Sequence, residues 1–195
     1  MSVREYKIDD TVIINGVWHV ISGQEDGQWF ATDEDGGEVE FQPGTEDHRE
    51  TRKAIIVDVD GTIAHRAPQS GLGKVTTRDP YDMTRVVEDE YDPIIGGLAQ
   101  LYGKQGYDVI VVSARTEEAR EGTIQFMVNN DFEFDALFMR QNKDNRKDSI
   151  VKTEIFQNDI AGNWDIEFVL DDRDQTVEAW RELGLKTLQV ATGDF

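Results

Sequence analysis

Ala54-Ile-Ile-Val-Asp-Val-Asp-Gly-Thr62 is the stretch that decides how this chain is read. Residues 54–57 form a short apolar run, mostly β-branched, that ends in turn-forming residues. That is the pattern of a strand buried on both faces of a parallel sheet. Two aspartates one residue apart follow, and then a Gly-Thr turn. Ligands of open parallel sheets bind beyond the carboxyl ends of the strands. Alternate residues of an extended chain point to the same side, so Asp58 and Asp60 stand together where chemistry is expected. Gly61 lets the chain swerve, and the Thr62 hydroxyl can be offered to an anion. Taken alone, the stretch also fits an aspartate-rich turn whose carboxylates satisfy local N–H groups.

Downstream, strand-like and helix-like segments alternate. Residues 93–105 read as a helix, with Asp92 as N-cap and Pro93 at the first position. Residues 107–112 (YDVIVV) read as a second buried strand, 116–129 as a helix, 136–139 as a short strand and 147–158 as a helix. Residues 166–170 (IEFVL) form a strand that ends in Asp171-Asp172. A helix over 175–183, stopped by Gly184, and a last strand over 187–190 complete the series. This alternation predicts a mostly parallel sheet with helices on both faces, a Rossmann-like α/β fold. Residues 65–82, rich in Gly, Pro, Ser and Thr, read as irregular.

Four groups then fall where strands end: Asp58 with Asp60; Ser113 with Arg115; a cationic segment after 139; and Asp171 with Asp172. A parallel sheet places all these ends at one edge. Singly, Ser113, Asp171 and Asp172 fit helix-capping roles and Lys152 a solvated lysine; four such coincidences at successive strand ends do not. Together they suit phosphoryl transfer through a carboxylate. A hard divalent cation, most simply Mg²⁺, would be held by carboxylate oxygens. The cation and a lysine would offset charge as an anionic nucleophile meets a phosphate.

These features resemble the four motifs of the haloacid dehalogenase (HAD) superfamily of phosphotransferases. The likeness narrows further on DVDGTIA (58–64), DPYD (79–82), VVSAR (111–115), RKDSIVKTEIF (146–156), DDR (171–173) and QVATGDF (189–195). Over residues 53–195 these segments resemble, in order, the phosphatase domain of phage polynucleotide kinase/3′-phosphatases. The resemblance implies that Asp58 is the nucleophile and that Asp60 is the general acid and then the base. Mg²⁺ would lie on Asp58, the main-chain carbonyl of Asp60, and Asp171 or Asp172. Ser113 and Lys152 would hold phosphoryl oxygens, with Lys147 as the alternative lysine. Asp148, four residues before Lys152, would orient it. Thr62, Arg78 and Arg115 would complete the substrate site. The 64–78 segment is longer than the family pattern, and Ala114 stands where that pattern often has glycine. Gly71-Leu72-Gly73-Lys74 fails the phosphate-loop requirement, because Pro68 replaces the first glycine and Val75 follows the lysine, so no kinase motif is present.

Residues 1–50 differ in kind. Strand-like runs at 6–8, 11–14, 17–21, 28–31 and 38–41 are separated by hairpin signals at 15–16, 25–27 and 35–37. They predict a small, partly closed antiparallel barrel of about five strands, SH3-like, with 43–50 as linker. Thirteen acids against three bases (Arg4, Lys7 and Arg49) make the unit strongly acidic. Trp18, Trp29, Phe30 and Phe41 serve either as its core or as a binding face.

Across 195 residues the formal net charge is −20, which argues against broad attraction to nucleic acid. Zero cysteines exclude disulfides, thiolate zinc sites and a cysteine nucleophile. No apolar run approaches the ~20 residues that span a bilayer, and the N-terminus lacks a signal peptide's apolar stretch. A cytoplasmic protein is expected. There is little room for a cap domain, so the site is expected to be open to a polymer end. Arg140, Lys143, Arg146, Lys147 and Lys152 against Asp144 and Asp148 supply local positive charge. The expected activity is that of a Mg²⁺-dependent polynucleotide 3′-phosphatase acting on DNA or RNA ends in strand repair. A phosphatase of free nucleotides is the alternative, and an inactive adaptor is disfavoured because every motif residue is present. The amino-terminal unit could recruit a repair partner.

Overall fold

A computed structural model describes residues 11–14, 17–25, 28–33, 35–41, 52–66 and 82–193. The chain divides into two compact units, residues 1–50 and 51–195. In the first, β1 (Thr11–Ile14), β2 (Val17–Glu25), β3 (Gln28–Thr32) and β4 (Glu38–Phe41) pair sequentially and antiparallel. The expected hairpins account for this order. Ile21, Ala31 and Phe41 form the unit's buried core, with Trp29 and Val39 packed against it. A bulge between Ile21 and Gly23 carries β2 beyond the predicted strand end. The expected strand at 6–8 and the linker at 43–50 lie outside the described residues.

The second unit is built on five parallel strands. In chain order they are β5 (Arg52–Val57), β8 (Asp108–Thr116), β9 (Ala136–Arg140), β10 (Trp164–Arg173) and β11 (Thr187–Gly193). Their spatial order is β11-β10-β5-β8-β9. The strand that carries Asp58 is therefore central, flanked by β8 and β10. Alternation along these strands feeds two cores. Ile55, Val57, Val109, Val111, Phe168 and Leu170 face one side, where Ala99 of α1 (Pro93–Lys104) and Phe126 and Met127 of α2 (Arg120–Asn129) meet them. Ala54, Ile56, Ile110, Val112 and Val169 face the other. There they meet Trp180 of α4 (Asp174–Glu182) and the end of α3 (Asp148–Ile155), which continues into a π-helical turn over Phe156–Ile160. Burying each such aliphatic side chain contributes about 1.5–3 kcal/mol, which is why the strands read as unbroken apolar runs.

The predicted Asp92 cap is present: its Oδ1 accepts the N–H groups of Ile94 at 2.9 Å and Ile95 at 3.0 Å. The expected helix at 116–129 opens instead with a 3₁₀ turn over Glu117–Ala119. Flanking the stretch read as irregular, β6 (Ala64–His65) pairs antiparallel with β7 (Glu90–Tyr91). A 3₁₀ segment over Met83–Glu88 precedes β7. Two-residue strands carry no periodic signal, so the sequence did not show them. No helix among the described residues is long and apolar enough to cross a membrane.

Candidate active site

Past Val57 the backbone is still tied to the sheet, because the Asp58 N–H donates to the Leu170 carbonyl at 2.9 Å. The chain then turns on Val59, whose carbonyl accepts from the N–H groups of Thr62, Ile63 and Ala64. Gly61 makes the turn possible. Its φ is +86°, and a Cβ there would lie 2.0 Å from Asp172 Oδ2. The turn thus presses directly on the second carboxylate pair, which only glycine permits.

Lys152 reaches from α3 into the strand ends, almost wholly buried. Its Nζ donates to Asp58 Oδ1 and Asp171 Oδ2, each at 2.7 Å. Burial works against the lysine's charge, but those two carboxylates hold its pKa above the usual value. Thr62 Oγ1 donates to the other Asp58 oxygen at 3.3 Å. Asp171 also accepts from the Trp180 indole N–H at 3.1 Å and from the Arg173 N–H at 3.1 Å. Asp172, equally buried, has its backbone carbonyl gripped by Gln189 Nε2 at 2.9 Å. At Gly193 a Cβ would meet that same carbonyl at 2.3 Å, so the terminal strand passes against it where only glycine fits.

Carboxylate oxygens of Asp58, Asp171 and Asp172 lie within 4.8 Å of one another. Three carboxylates against one lysine leave a formal surplus of two negative charges in a buried place. Burial, and then the Asp171 charge, push Asp172 up to about 6, with Lys152 pulling the other way. Burial also raises Asp58 well above the usual carboxylate range. Lys152 opposes that rise, and Asp171 and Asp172 add to it. A hard oxygen-donor set with this surplus fits a small divalent cation. Asp171 has both oxygens engaged by protein donors, so Asp172 is the better placed of the pair to give one to a metal.

Asp60 is held differently. Its carboxylate receives a two-pronged bond from Arg115, Nε to Oδ2 at 2.8 Å and Nη2 to Oδ1 at 2.9 Å. The guanidinium also donates to Asp89 Oδ2 at 2.7 Å and to the Thr123 hydroxyl at 3.1 Å. Its side chain is 0% exposed while that of Asp60 is 39% exposed, so the clamp is interior and the acid faces outward. Ser113 is fully buried, and its Oγ accepts the Arg115 N–H at 3.2 Å, which leaves its O–H free to donate.

Nine of the ten expected site residues are described: Asp58, Asp60, Thr62, Ser113, Arg115, Asp148, Lys152, Asp171 and Asp172 all lie at or beside the carboxyl edge. Arg78 lies outside the described residues. One expectation is corrected. Asp148 does not orient Lys152; its two oxygens are taken by Arg140 Nη2 and Arg173 Nη1. Helical spacing put both side chains on one face, but Lys152 runs inward to the strand ends while Asp148 meets arginines from β9 and β10. Lys147, the alternative lysine, is exposed at the N-cap of α3. Asp89, Thr123 and Trp180 were missed and Arg140 was read only as local positive charge, since what each does depends on a partner that the fold supplies.

A doubly wound sheet with these groups at its carboxyl edge is a phosphatase of the HAD-like class. Residues 52–195 match the family described as the polynucleotide kinase PNKP phosphatase domain, and the chain belongs to that family. Similar chains occur in two solved Pnkp1/Rnl/Hen1 complexes, one described as an RNA repair complex. Their TM-scores are 0.69 and 0.68 at 33% and 32% identity, covering 80% and 84% of this chain and 50% and 57% of those chains. A protein of Autographa californica nuclear polyhedrosis virus, assigned as a bifunctional polynucleotide kinase/RNA ligase, is 29% identical over 146 residues. That match covers 73% of this chain and 20% of the viral protein. A class C acid phosphatase from Bacillus anthracis shares the fold alone, with TM-score 0.50 at 15% identity. The chain thus spans a fifth of its viral relative and about half of the chains in the complexes.

Proposed function

We propose that the chain is a Mg²⁺-dependent polynucleotide 3′-phosphatase that clears 3′-terminal phosphate from nucleic-acid ends during repair. The observation that carries this reading is the meeting of Asp58, Lys152, Asp171 and Asp172 at one sheet edge, beside an outward-facing Asp60 clamped by Arg115. An Asp58 oxygen attacks the terminal phosphorus, and the bond from phosphorus to the sugar oxygen breaks. Asp60 gives its proton to the departing 3′ oxygen. It then takes a proton from the water that attacks phosphorus and releases Asp58 and inorganic phosphate. Lys152, the Ser113 hydroxyl and Thr62 hold the phosphoryl oxygens and the nucleophile in line. Asp58, Asp172 and the main-chain carbonyl of Asp60 would hold Mg²⁺, which supplies charge neutralisation when bound.

Membership in the family supports a polynucleotide end as substrate, and the likeness to chains of an RNA repair complex supports a place in RNA repair, with DNA ends as the other candidate. The amino-terminal unit, which lies outside the family match, would recruit a partner. A cytoplasmic setting is consistent with this chemistry. The test is phosphate release from a 3′-phosphorylated oligonucleotide with Mg²⁺, beside Asp58→Asn and a chelated control. Both controls should lose at least about a thousandfold in rate. Efficient release from a nucleoside 3′-monophosphate in preference to the oligonucleotide would replace this reading with a phosphatase of free nucleotides.

A further inference from the structure

Most cations around the carboxyl edge are consumed by the protein itself. Lys152 lies between two aspartates, and Arg115 between Asp60 and Asp89. Arg146 Nη2 sits 2.6 Å from Asp144 and 2.7 Å from Glu154. Arg140 spends its guanidinium on the carbonyls of Ala114, Asp144 and Arg146 and on Asp148, which Arg173 shares. Two lysines of the β9–α3 connection differ. Lys143 and Lys147 are exposed, and among the described residues neither has an ion pair.

The connection is a built platform. Asp144 N–H donates to the Gln141 carbonyl at 3.2 Å, closing a four-residue turn with Lys143 at its third position. Arg140 Nη1 grips the Asp144 and Arg146 carbonyls at 3.0 and 2.7 Å, and Asn142 Oδ1 accepts the Glu118 N–H at 3.1 Å. Lys143 has φ +68°. Turn positions with φ of this sign favour Gly or Asn, so backbone preference does not account for a lysine there. Its charge does. Lys147 is the N-cap of the helix that delivers Lys152 to Asp58, five residues and about 7.5 Å of helix axis away.

We propose that Lys143 and Lys147 form a strand-binding subsite for the internucleotide phosphates that precede the terminal phosphate, so that this loop selects a polynucleotide over a mononucleotide. The inference rests on the 3′-phosphatase reading. On a chain of net charge −20, two exposed ammonium groups with no ion pair among the described residues, on the connection that leads into the Lys152 helix, are where a polyanion can be held without displacing an internal ion pair. A mononucleotide has no phosphate to give them.

The test compares kcat and KM for a 3′-phosphorylated ten-nucleotide single strand and a nucleoside 3′-monophosphate over a salt series. The proteins are wild type, Lys143→Asn, Lys147→Gln and the double variant. Asparagine tolerates the left-handed backbone, so Lys143→Asn keeps the turn, and matching melting temperatures establish that each variant is folded. For the oligonucleotide, KM should rise about tenfold in the double variant with kcat held. The salt slope should fall by about 0.7 per lysine removed, and the preference over the monophosphate should shrink accordingly. An unchanged salt slope, or equal losses on both substrates, overturns the subsite and leaves the phosphatase reading standing. A wild type without preference for the oligonucleotide overturns both.

Discussion

Arg115 illustrates how a residue's role follows from its surroundings. Position after Ser113 marked it as an active-site arginine, and the structure turns its whole guanidinium inward. Burial alone would depress its charge; the Asp60 and Asp89 carboxylates more than offset that and hold its pKa above the ordinary value. It acts as a positioning residue, because the fork fixes the plane of the Asp60 carboxylate. Lysine carries the charge but lacks the fork. Arg115→Lys should therefore fold yet lose about a hundredfold in kcat, whereas Arg115→Ala removes the guanidinium from both Asp60 and the buried Asp89 carboxylate and should cost about 3–5 kcal/mol. Steady-state kinetics and urea unfolding measure the two effects. Full kcat in the lysine variant would end the positioning account.

Among the elements, α1 shows a terminus set by local chemistry. Asp92 accepts two N–H groups of the first turn and pairs with the His65 ring at 3.2 Å, joining the helix to β6. Burial works to raise its pKa, but the bonds from the Ile95 N–H, His65 and the Ile94 N–H together bring it below the usual value. A depressed carboxylate gives its full stabilisation above the unfolded pKa, about 3.9, and loses it as pH falls through the folded value. Asp92→Ala should cost about 1 kcal/mol near neutrality. Its gap from wild type should close on acidification below about pH 4, as read from urea midpoints. A gap that persists undiminished at about pH 2 would mean that the cap's charge contributes nothing.

For the molecule as a whole, the carboxylate cluster joins the end of β5 to the end of β10, so a cation bound there ties two central strands. Mg²⁺ at a hundredfold excess over Kd should add about 2.7 kcal/mol, roughly 5–10 °C in Tm for a chain of this size. Because Asp172 sits at about 6, protons compete below that value. The Tm gain should be largest near pH 8 and shrink as pH falls through about 6. Calorimetry with and without Mg²⁺ measures it. A gain independent of pH, or one retained in Asp172→Asn, would place the cation elsewhere.

Much of this was legible before any coordinates. Asp58 and Asp60 stand one residue apart, the central strands are unbroken apolar runs, and the start of α1 is written in Asp92-Pro93. Local chemistry is sufficient for such features, since strand burial, capping and turns act over a few positions. What the tertiary structure alone decided is which charge meets which. Lys152 and Asp148 share a helix face, yet one lies between Asp58 and Asp171 while the other bridges two arginines. Arg115 finds Asp89 across 26 residues, and the Asp171 carboxylate finds the Trp180 indole across a turn into α4. Spacing along an element fixes a direction, but depth and partner depend on what the other strands and helices bring to the same edge. That is why the sequence by itself determined the fold and where Asp58 and Asp60 stand at the strand end, and packing determined which cations are taken up by the protein's own carboxylates and which are left exposed.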